Sequence, residues 1–328
     1  MLDAVRVIVT GSAGFIGSHL VDALVAAGAR VTCMVRYNSS SSVGNLAFLP
    51  AERLAEVSIA AGNIEDSDFV LRAVEGHDIV LHLAALIAIP YSYAAPRSYV
   101  RTNVEGTLNV LEAVRRVGTK RLVVTSTSEV YGTARYAPID EDHALQGQSP
   151  YSASKIGADK IAEAYFRSFD TPVVTLRPFN TYGPRQSARA FIPTIISQAL
   201  TQDHVKLGAV TPLRDMTFVT DTVKGFLLAA TTPGIEGCTI NLGNGEAHSV
   251  GAFARRILAL MGKDLPIRHD GTRERPAGSE VMKLVSNNTK ARDLLGWTPS
   301  TSLDEGLRAT INFIERHQHL YRAETYTV

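Results

Sequence analysis

Tyr151 and Lys155 lie four residues apart in the segment PYSASK, and their side chains together can move a proton. If a helix begins at Pro150, a residue that suits a first helical turn, both side chains lie on one face. A lysine ammonium beside a phenol favours the phenolate and lowers the pKa of the tyrosine, which makes it a usable base near neutral pH. Most tyrosine–lysine pairs at this spacing are structural, so the chemistry depends on the groups around them.

The segment TSTSEVYG, residues 125–132, carries a second set of reactive groups. It follows the apolar run RLVVT, which is typical of a buried strand. Hydroxyl groups such as those of Thr127 and Ser128 are ordinary at the end of a strand, whereas Glu129 is a less usual neighbour. A carboxylate can serve as a general base. From the residues alone, a solvated carboxylate at a strand end is the simpler interpretation of Glu129.

Strand-like and helix-like segments alternate through the first half of the chain and would hold these groups in place. The strand-like segments are VRVIVT (5–10), RVTCMV (30–35), part of LAEVSIAAGN (54–63), DIVLHLAA (78–85), RLVVTST (121–127) and TPVVTLRP (171–178). Strands that are separated by helices pair in parallel through right-handed crossovers. The sequence therefore predicts an α/β fold with a doubly wound parallel sheet.

One crossover helix is predicted over residues 99–118, with Val104, Leu108, Leu111 and Val114 on a single apolar stripe. The second half of the chain is mixed. RPFNTYGPRQ (177–186) is rich in turn-forming residues and predicts a loop. A strand and then a helix are predicted within residues 215–232, and helices within 249–262, 287–297 and 301–317.

The segment TGSAGFIGS places Gly11, Gly14 and Gly17 directly after the first strand and at the start of the first helix. Glycines allow a tight turn and let a pyrophosphate approach the free N–H groups of the helix. This context predicts a dinucleotide site. The second strand ends in Arg36, not in the acid that holds the ribose of NAD, so the prediction tilts towards NADP. Asn63 and Ile64 are expected near the adenine.

Composition excludes several classes of function. The 328 residues include 33 Lys+Arg and 32 Asp+Glu, and a net charge of +1 argues against a nucleic-acid partner. The two cysteines, Cys33 and Cys238, form neither a metal-ligand spacing nor a disulfide framework, which fits a reducing compartment. Neither a signal peptide nor an apolar stretch long enough to span a bilayer is visible. We therefore expect a cytoplasmic protein with no bound metal.

Beyond these patterns, the chain resembles the extended short-chain dehydrogenase/reductase family. The resemblance rests on TGSAGFIGS, LHLAA, TNVEGTLNVLEA, the TST segment, YSASK, RPFNTYGPRQ, RDMTFVTDTVKG and LLGWTPSTSLDEGL, and so covers nearly the whole chain. It implies a Rossmann domain formed by residues 1–177 together with about 216–243. A smaller mixed α/β domain, about 178–215 and 244–328, would bind a nucleotide sugar. Family members keep NAD or NADP bound and recycle it, and they usually form homodimers.

The resemblance also assigns roles to individual residues. Thr127, Tyr151 and Lys155 match the catalytic set, with Ser128 and Glu129 beside it. Arg214 and Arg275 match positions that clamp the diphosphate, Asn180 approaches the diphosphate or sugar, and Arg185 faces either ligand. The residues expected at the cofactor are Gly11, Ala13, Gly14, Phe15, Ile16, Gly17, Arg36, Asn63, Ile64, Leu83, Ala84, Ala85, Tyr151 and Lys155. His82 is expected to be a strand residue beside the cofactor, without a direct catalytic role.

Glu129 distinguishes two activities within this family. Epimerases resemble SSxxVYG at this segment, whereas 4,6-dehydratases carry a glutamate that can remove the C5 proton. The deoxythymidine-diphosphate-glucose dehydratases have an aspartate where this chain has Ser128, and the TSE form resembles GDP-mannose 4,6-dehydratases. The group that protonates the departing O6 is left open among Glu129, Ser128 and a water molecule.

The longest matching segments, STSEVYGTARYAPIDE, SPYSASKIGADKIA and RPFNTYGPRQSARAFIPTIISQ, are similar to N-acetylhexosamine 4,6-dehydratases of the legionaminic-acid type. Those enzymes act on UDP- or GDP-linked N-acetylglucosamine, and the resemblance does not decide between the nucleotides. The leading hypothesis is therefore a nucleotide-sugar 4,6-dehydratase. A UDP-sugar 4-epimerase is the alternative enzyme. A non-catalytic nucleotide-sensing or RNA-associating protein on the same fold is the alternative of another class.

Overall fold

The computed structural model describes residues 2–321 and contains a seven-stranded sheet in which every neighbouring pair is parallel. Its strands are β1 (Arg6–Thr10), β2 (Arg30–Arg36), β3 (Ser58–Gly62), β4 (Ile79–His82), β5 (Arg121–Thr125), β6 (Val173–Pro178) and β10 (Thr239–Leu242). They are ordered β10-β6-β5-β4-β1-β2-β3. The predicted doubly wound Rossmann fold is confirmed.

Helices cover both faces of this sheet. They are α1 (Phe15–Ala26), α2 (Ala51–Ala55), α3 (Ser67–Val74), α4 (Ile89–Ala94), α5 (Pro96–Tyr99), α6 (Gly106–Val117), α7 (Pro150–Phe169) and α9 (Val219–Thr231). α1 and α9 share a hydrophobic core on one face, and α3, α6 and α7 form a core on the other. The strand order reverses between β1 and β4, so their carboxyl ends open a crevice in which such sheets bind ligands.

The apolar stripe predicted for the crossover helix is correct in its C-terminal half only. Leu111 and Val114 are buried, but Val104 and Leu108 are half-buried. The residues Val100–Glu105 form a π-helix before α6 begins. A π-turn spans one residue more than an α-turn and so rotates the preceding residues around the helix axis. Asn103 and Thr107 are consequently buried in this part of the helix.

A second hydrophobic core lies beside the first and is built from later segments. Its helices are α8 (Phe191–Thr201), α10 (Val250–Leu260) and α12 (Leu303–Arg316), and β8 (Val205–Leu207) pairs with β12 (Ile267–His269). β9 (Leu213–Phe218) pairs with β11 (Ala247–Ser249), β13 (Lys283–Leu284) and β7 (Asn180–Tyr182). The last pairing corrects part of the predicted 177–186 loop, because residues 180–182 form a strand against β9.

The division into two domains stays a prediction. Ala291 and Leu295 of α11 (Thr289–Leu295), and Trp297 after it, were placed in the smaller domain by the sequence but pack into the first core. Trp297 is fully buried, and its Nε1 donates to Asp221 O at 2.8 Å. In the described part of the chain, no helix combines the length and the apolar character that crossing a membrane requires.

Candidate active site

The tyrosine and lysine singled out by their spacing lie on the first two turns of α7. Ser149 caps this helix, because its hydroxyl accepts from the amide of Ser152 and the Ser152 hydroxyl interacts with the Ser149 amide in return. Tyr151 and Lys155 are both buried. Together with the end of β5, they line a cavity of about 530 Å³ at the carboxyl edge of the sheet.

Burial dominates the electrostatics of the pair. It raises the pKa of Tyr151 well above its ordinary value, although a hydrogen bond with Thr127 acts in the opposite direction and the charge of Glu129 adds to the increase. Burial also lowers the pKa of Lys155, and the charge of Asp159 opposes that change. The expected lowering of the tyrosine pKa by lysine is therefore not found without ligands, because desolvation is the largest influence on the pKa of Tyr151.

Lys155 is held by the last residue of β5, two residues before Thr127. Its Nζ donates to Thr125 O at 2.6 Å. Thr127 then caps the short 3₁₀ turn Ser128–Tyr131, with its Oγ1 accepting from the amide of Glu129 at 3.2 Å. The hydroxyl cluster, the glutamate, the tyrosine and the lysine that the sequence singled out thus line one cavity.

Glu129 extends into this cavity from the 3₁₀ turn, with 13% of its side chain exposed. Its Oε1 lies 3.7 Å from Nη1 of Arg275, which also lies 3.9 Å from Oε1 of Glu280. Among the described residues, this buried Arg275 Nη1 has no hydrogen-bond partner. The glutamate is therefore enclosed beside a cation, and the simpler interpretation of a solvated carboxylate is not supported.

The four residues predicted to bind the substrate fall into three groups. Asn180 and Arg275 line the cavity. Arg214 lies behind it, where its guanidinium donates to Glu280 Oε1 at 2.7 Å and to Val281 O at 2.6 Å. Burial of the side chain lowers the pKa of the Arg214 guanidinium, while the charge of Glu129 acts in the opposite direction.

Arg185 is the exception, and its predicted contact with a ligand is not supported by its position. The residue has a left-handed backbone (φ 67°), and its guanidinium donates to Ser18 Oγ and Phe48 O. Asp22 on α1 lies 3.8 Å away and provides the opposite charge. Within residues 2–321, neither cavity described here is lined by Arg185. The ion pair with Asp22 of α1 holds the side chain of Arg185 outside the two cavities.

The glycine turn packs closely against β4 and against its own helix. Gly11 has φ 69°, and a Cβ there would lie 2.7 Å from the amide nitrogen of Ala84. A Cβ on Gly17 would lie 2.3 Å from Gly11 O. Gly14, which begins α1, provides no side-chain cap, so the first N–H groups of the helix are left for another acceptor. Such a turn fits the pyrophosphate of a dinucleotide.

A second cavity of about 520 Å³ shares Gly11 and Ala85 with the first. The residues predicted at the adenosine end, Arg36, Asn63 and Ile64, lie in its wall together with Ala13 and Ala84. The remaining predicted cofactor contacts, Gly14, Phe15, Ile16, Gly17, Leu83, Tyr151 and Lys155, line the first cavity. The two cavities meet at the glycine turn, where the pyrophosphate of a dinucleotide is expected, while the individual contacts stay predictions.

His82 is completely buried, which lowers its pKa to about 3. Thr107 Oγ1 donates its proton to a backbone carbonyl and so accepts from His82 Nε2. Thr10 Oγ1 accepts from the amides of Leu83 and Ala84 and so donates to His82 Nδ1. The imidazole is therefore neutral and fully hydrogen-bonded, which supports a structural role.

Some residues of the site were not predicted from the sequence. Ser126, Gln186, Ser187 and Arg189 also line the first cavity. Asp159 lies beneath it, one helical turn after Lys155, and that spacing was a signal that could have identified it. Over the described residues, no group of three or more His, Cys, Asp and Glu side chains is arranged to hold a metal ion.

Comparisons with known proteins identify the family of this chain. The family described as GDP-mannose 4,6 dehydratase matches residues 8–310. A UDP-glucose 4-epimerase of Mycolicibacterium smegmatis is 34% identical over 94% of this chain and 98% of its own length. A dTDP-glucose 4,6-dehydratase of Xanthomonas campestris is 30% identical over 95% of this chain and 93% of its own.

Solved structures give the same result. The UDP-glucuronic acid 4-epimerase of Bacillus cereus, in complex with UDP-glucuronic acid and NAD, has a TM-score of 0.86 at 28% identity. The match covers 95% of this chain and 99% of that one. The chain therefore belongs to the GDP-mannose 4,6-dehydratase family of extended short-chain dehydrogenase/reductases, which includes nucleotide-sugar dehydratases and epimerases.

Proposed function

We propose that this protein is a nucleotide-sugar 4,6-dehydratase that converts an NDP-N-acetylglucosamine into the NDP-4-keto-6-deoxy sugar. One observation carries the proposal. The carboxylate of Glu129 lies in the same cavity as Tyr151 and Thr127, as a second base beside the first. A 4-epimerase needs no such group, whereas elimination of water across C5 and C6 does.

Thr127, Tyr151 and Lys155 would act at C4 of the sugar. Tyr151 takes the proton of the C4 hydroxyl, and Thr127 hydrogen-bonds the same oxygen. The glycine turn and the walls of the two cavities would hold the dinucleotide, which would supply a hydride acceptor at C4 and a hydride donor at C6 without net consumption. Because burial disfavours the phenolate in the protein alone, the positive charge of Lys155 is needed to lower the cost of deprotonation.

Glu129 would then catalyse the elimination. The ketone at C4 acidifies the C5 proton, which Glu129 removes. The electron pair forms the C5–C6 double bond, and the C6 hydroxyl leaves as water once it has gained a proton. We assign that proton to Glu129, which has just acquired one. Ser128 is the alternative donor, since it is buried and lines the cavity. Return of the hydride at C6 then leaves an enolate, which takes a proton at C5 from water, while Tyr151 releases the proton of the C4 hydroxyl to solvent.

The substrate's diphosphate would be bound by Arg275, whose Nη1 makes no hydrogen bond within the described residues, with Asn180 in the same cavity wall and Arg214 behind. The N-acetylglucosamine assignment rests on the sequence resemblance, which leaves UDP and GDP as alternative nucleotides. The cofactor is NAD or NADP. The solved neighbour binds NAD, while Arg36 in the adenosine cavity favours NADP. Releasing the cofactor from the purified protein and identifying it decides between them.

Mass spectrometry tests the proposal directly. The purified protein is incubated with UDP- and GDP-N-acetylglucosamine without added cofactor, and loss of one water from either sugar is the expected result. Glu129→Gln should abolish water loss while leaving substrate affinity within a few-fold. Ser128→Ala should retain it. Glu163→Gln, at an exposed carboxylate of α7, is the matched control and should react like the wild type.

A UDP-sugar 4-epimerase is the second candidate, because the relative at 34% identity has that activity. A product of unchanged mass that is a new stereoisomer at C4 would refute the dehydratase and support the epimerase. No reaction with either sugar nucleotide would favour the non-catalytic nucleotide-sensing reading. Homodimer formation and a cytoplasmic location also stay proposals, carried by the resemblance and by the composition.

A further inference from the structure

Asp159 is an almost completely buried carboxylate that the proposed reaction does not use. It lies on α7 one turn beyond Lys155 and two turns beyond Tyr151, so the three side chains share one face of the helix. Only 4% of its side chain is exposed. Across residues 2–321, the walls of the two cavities do not include it. A carboxylate in such a place must be compensated by nearby cations and donors.

The compensation comes from two sides. Oδ2 of Asp159 accepts from Ser126 Oγ at 2.7 Å and from Nε of Arg177 at 3.1 Å. Nη2 of Arg177 also lies 3.1 Å from Oδ2. Ser126 immediately precedes Thr127, so this hydrogen bond ties the end of β5 to α7. Arg177, on β6, is buried as well and donates to the hydroxyl of Tyr131 at 2.9 Å.

The second oxygen of the Asp159 carboxylate has a different environment. Oδ1 of Asp159 is buried and has no hydrogen-bond partner in the described part of the chain. Lys155 is also buried, and the bond from its ammonium to Thr125 O uses one of its three protons. A buried ammonium loses most of its hydration, and a carboxylate one turn away on the same helix favours its charged form.

We propose that Asp159 is a positioning residue of the active site, which supplies the counter-charge for Lys155 and, through Ser126, holds Thr127 beside Tyr151. The inference rests on the proposed use of Lys155 and Tyr151. Asp159 itself touches neither substrate nor cofactor. Its role is to favour the charged form of the lysine, which burial disfavours.

The other titratable groups around this set are Tyr99, which packs against Tyr151, His82 on β4, Glu129 and Tyr131 on the 3₁₀ turn, and Glu141 near Tyr131. Burial raises the pKa of Tyr99 and of Tyr131 to about 12 and lowers that of His82 to about 3. These three groups are therefore neutral between pH 6 and 9. The charge that opposes the effect of burial on the pKa of Lys155 is that of Asp159.

The first test follows the charge of Lys155 and needs no catalysis. NMR of lysine labelled at Cε with ¹³C, with Lys155→Gln to assign the signal, gives the pKa of Lys155. Asp159→Asn should lower that pKa by about one unit or more, and Asp159→Glu should restore most of it. Glu163→Gln, an exposed charge change on the same helix, should leave it unmoved.

The second test follows turnover. In Asp159→Asn, kcat should fall at least tenfold and the alkaline limb of its pH profile should move to lower pH with Lys155, while KM stays within about threefold because the cavity is intact. Asp159→Glu should recover both. A purely structural role would instead lower the unfolding temperature without moving the pH limb.

Two results would overturn the inference. One is a folded Asp159→Asn protein in which Lys155 titrates as in the wild type. The other is a kcat loss that Asp159→Glu does not rescue although that variant is folded. If Asp159→Asn does not fold, the double variant Asp159→Asn/Arg177→Met also removes the Arg177 cation, which would otherwise be buried without its partner. The pKa of Lys155 should still be lower in that variant than in the wild type. A shifted Lys155 in a protein that never releases water refutes the dehydratase and leaves the counter-charge role standing.

Discussion

Replacement of Gly17 by alanine should destabilise the fold and weaken cofactor binding together. The new Cβ would lie 2.3 Å from Gly11 O and 2.9 Å from Cα of Ser12. Both neighbours are backbone atoms of the turn, so no flexible side chain can move aside. Restoring an ordinary carbon–oxygen separation requires that the start of α1 and the turn separate by about 1 Å.

The expected cost follows from two opposing contributions. Overpacking against fixed atoms costs about 1–3 kcal/mol, and replacing glycine by alanine returns about 0.4–1 kcal/mol by restricting the unfolded chain. We expect the free energy of unfolding to fall by about 1–2 kcal/mol. The displaced helix N-terminus should reduce the affinity for the dinucleotide at least tenfold, since its amides no longer face the pyrophosphate.

Gly14→Ala is the matched control. Its Cβ would meet only Gly11 O, at 3.2 Å, and its φ of −82° suits any residue. We expect its stability to change by less than about 0.5 kcal/mol, whereas its methyl group enters the cavity and should lower cofactor affinity. Urea unfolding followed by the fluorescence of Trp297, the single tryptophan, and calorimetric titration with NAD measure the two quantities. If Gly17→Ala is as stable as Gly14→Ala, the close packing of the turn is refuted.

Two further predictions concern histidine and arginine. Because the pKa of buried His82 is about 3, the unfolded state binds its proton more strongly between pH 6.5 and 3, so stability is lost as pH falls through that window. At pH 5 this loss of stability is about 2 kcal/mol. His82→Gln should therefore reduce the difference in unfolding free energy between pH 7 and pH 5 by about that amount. An unchanged difference would contradict the buried neutral imidazole. Arg185→Met should lower stability by about 1–3 kcal/mol, because Asp22 loses a partner, while KM for the sugar nucleotide stays constant. A large rise in KM would instead indicate that Arg185 contacts the substrate.

The parts of the site that the sequence predicts are those encoded locally. Gly11, Gly14 and Gly17 act through the turn that they themselves form, and Tyr151 and Lys155 through the spacing of one helix. The first six strands are short apolar runs between clear turn signals. In each case the neighbours that matter lie within a few residues along the chain.

The parts that were missed depend on distant segments. The approach of Arg275 to Glu129 joins residues 146 positions apart, and no local pattern encodes it. Arg185 lies in a turn and pairs with Asp22 of α1, which is distant in the sequence. The strand at residues 180–182 exists because β9 provides its hydrogen bonds, although its own sequence favours a turn.

The order of the strands has a consequence for synthesis on the ribosome. β10 completes the sheet beside β6, but residues 179–238 are made between them. At about 5–20 residues per second, roughly 3–12 s pass in which the edge of β6 has no partner. An unpaired edge is a template for pairing with other chains. Asn241, which accepts the hydrogen bond of Tyr131, arrives with the same strand. The nascent chain therefore remains open to aggregation at the sheet edge nearest its future active site until β10 has been translated.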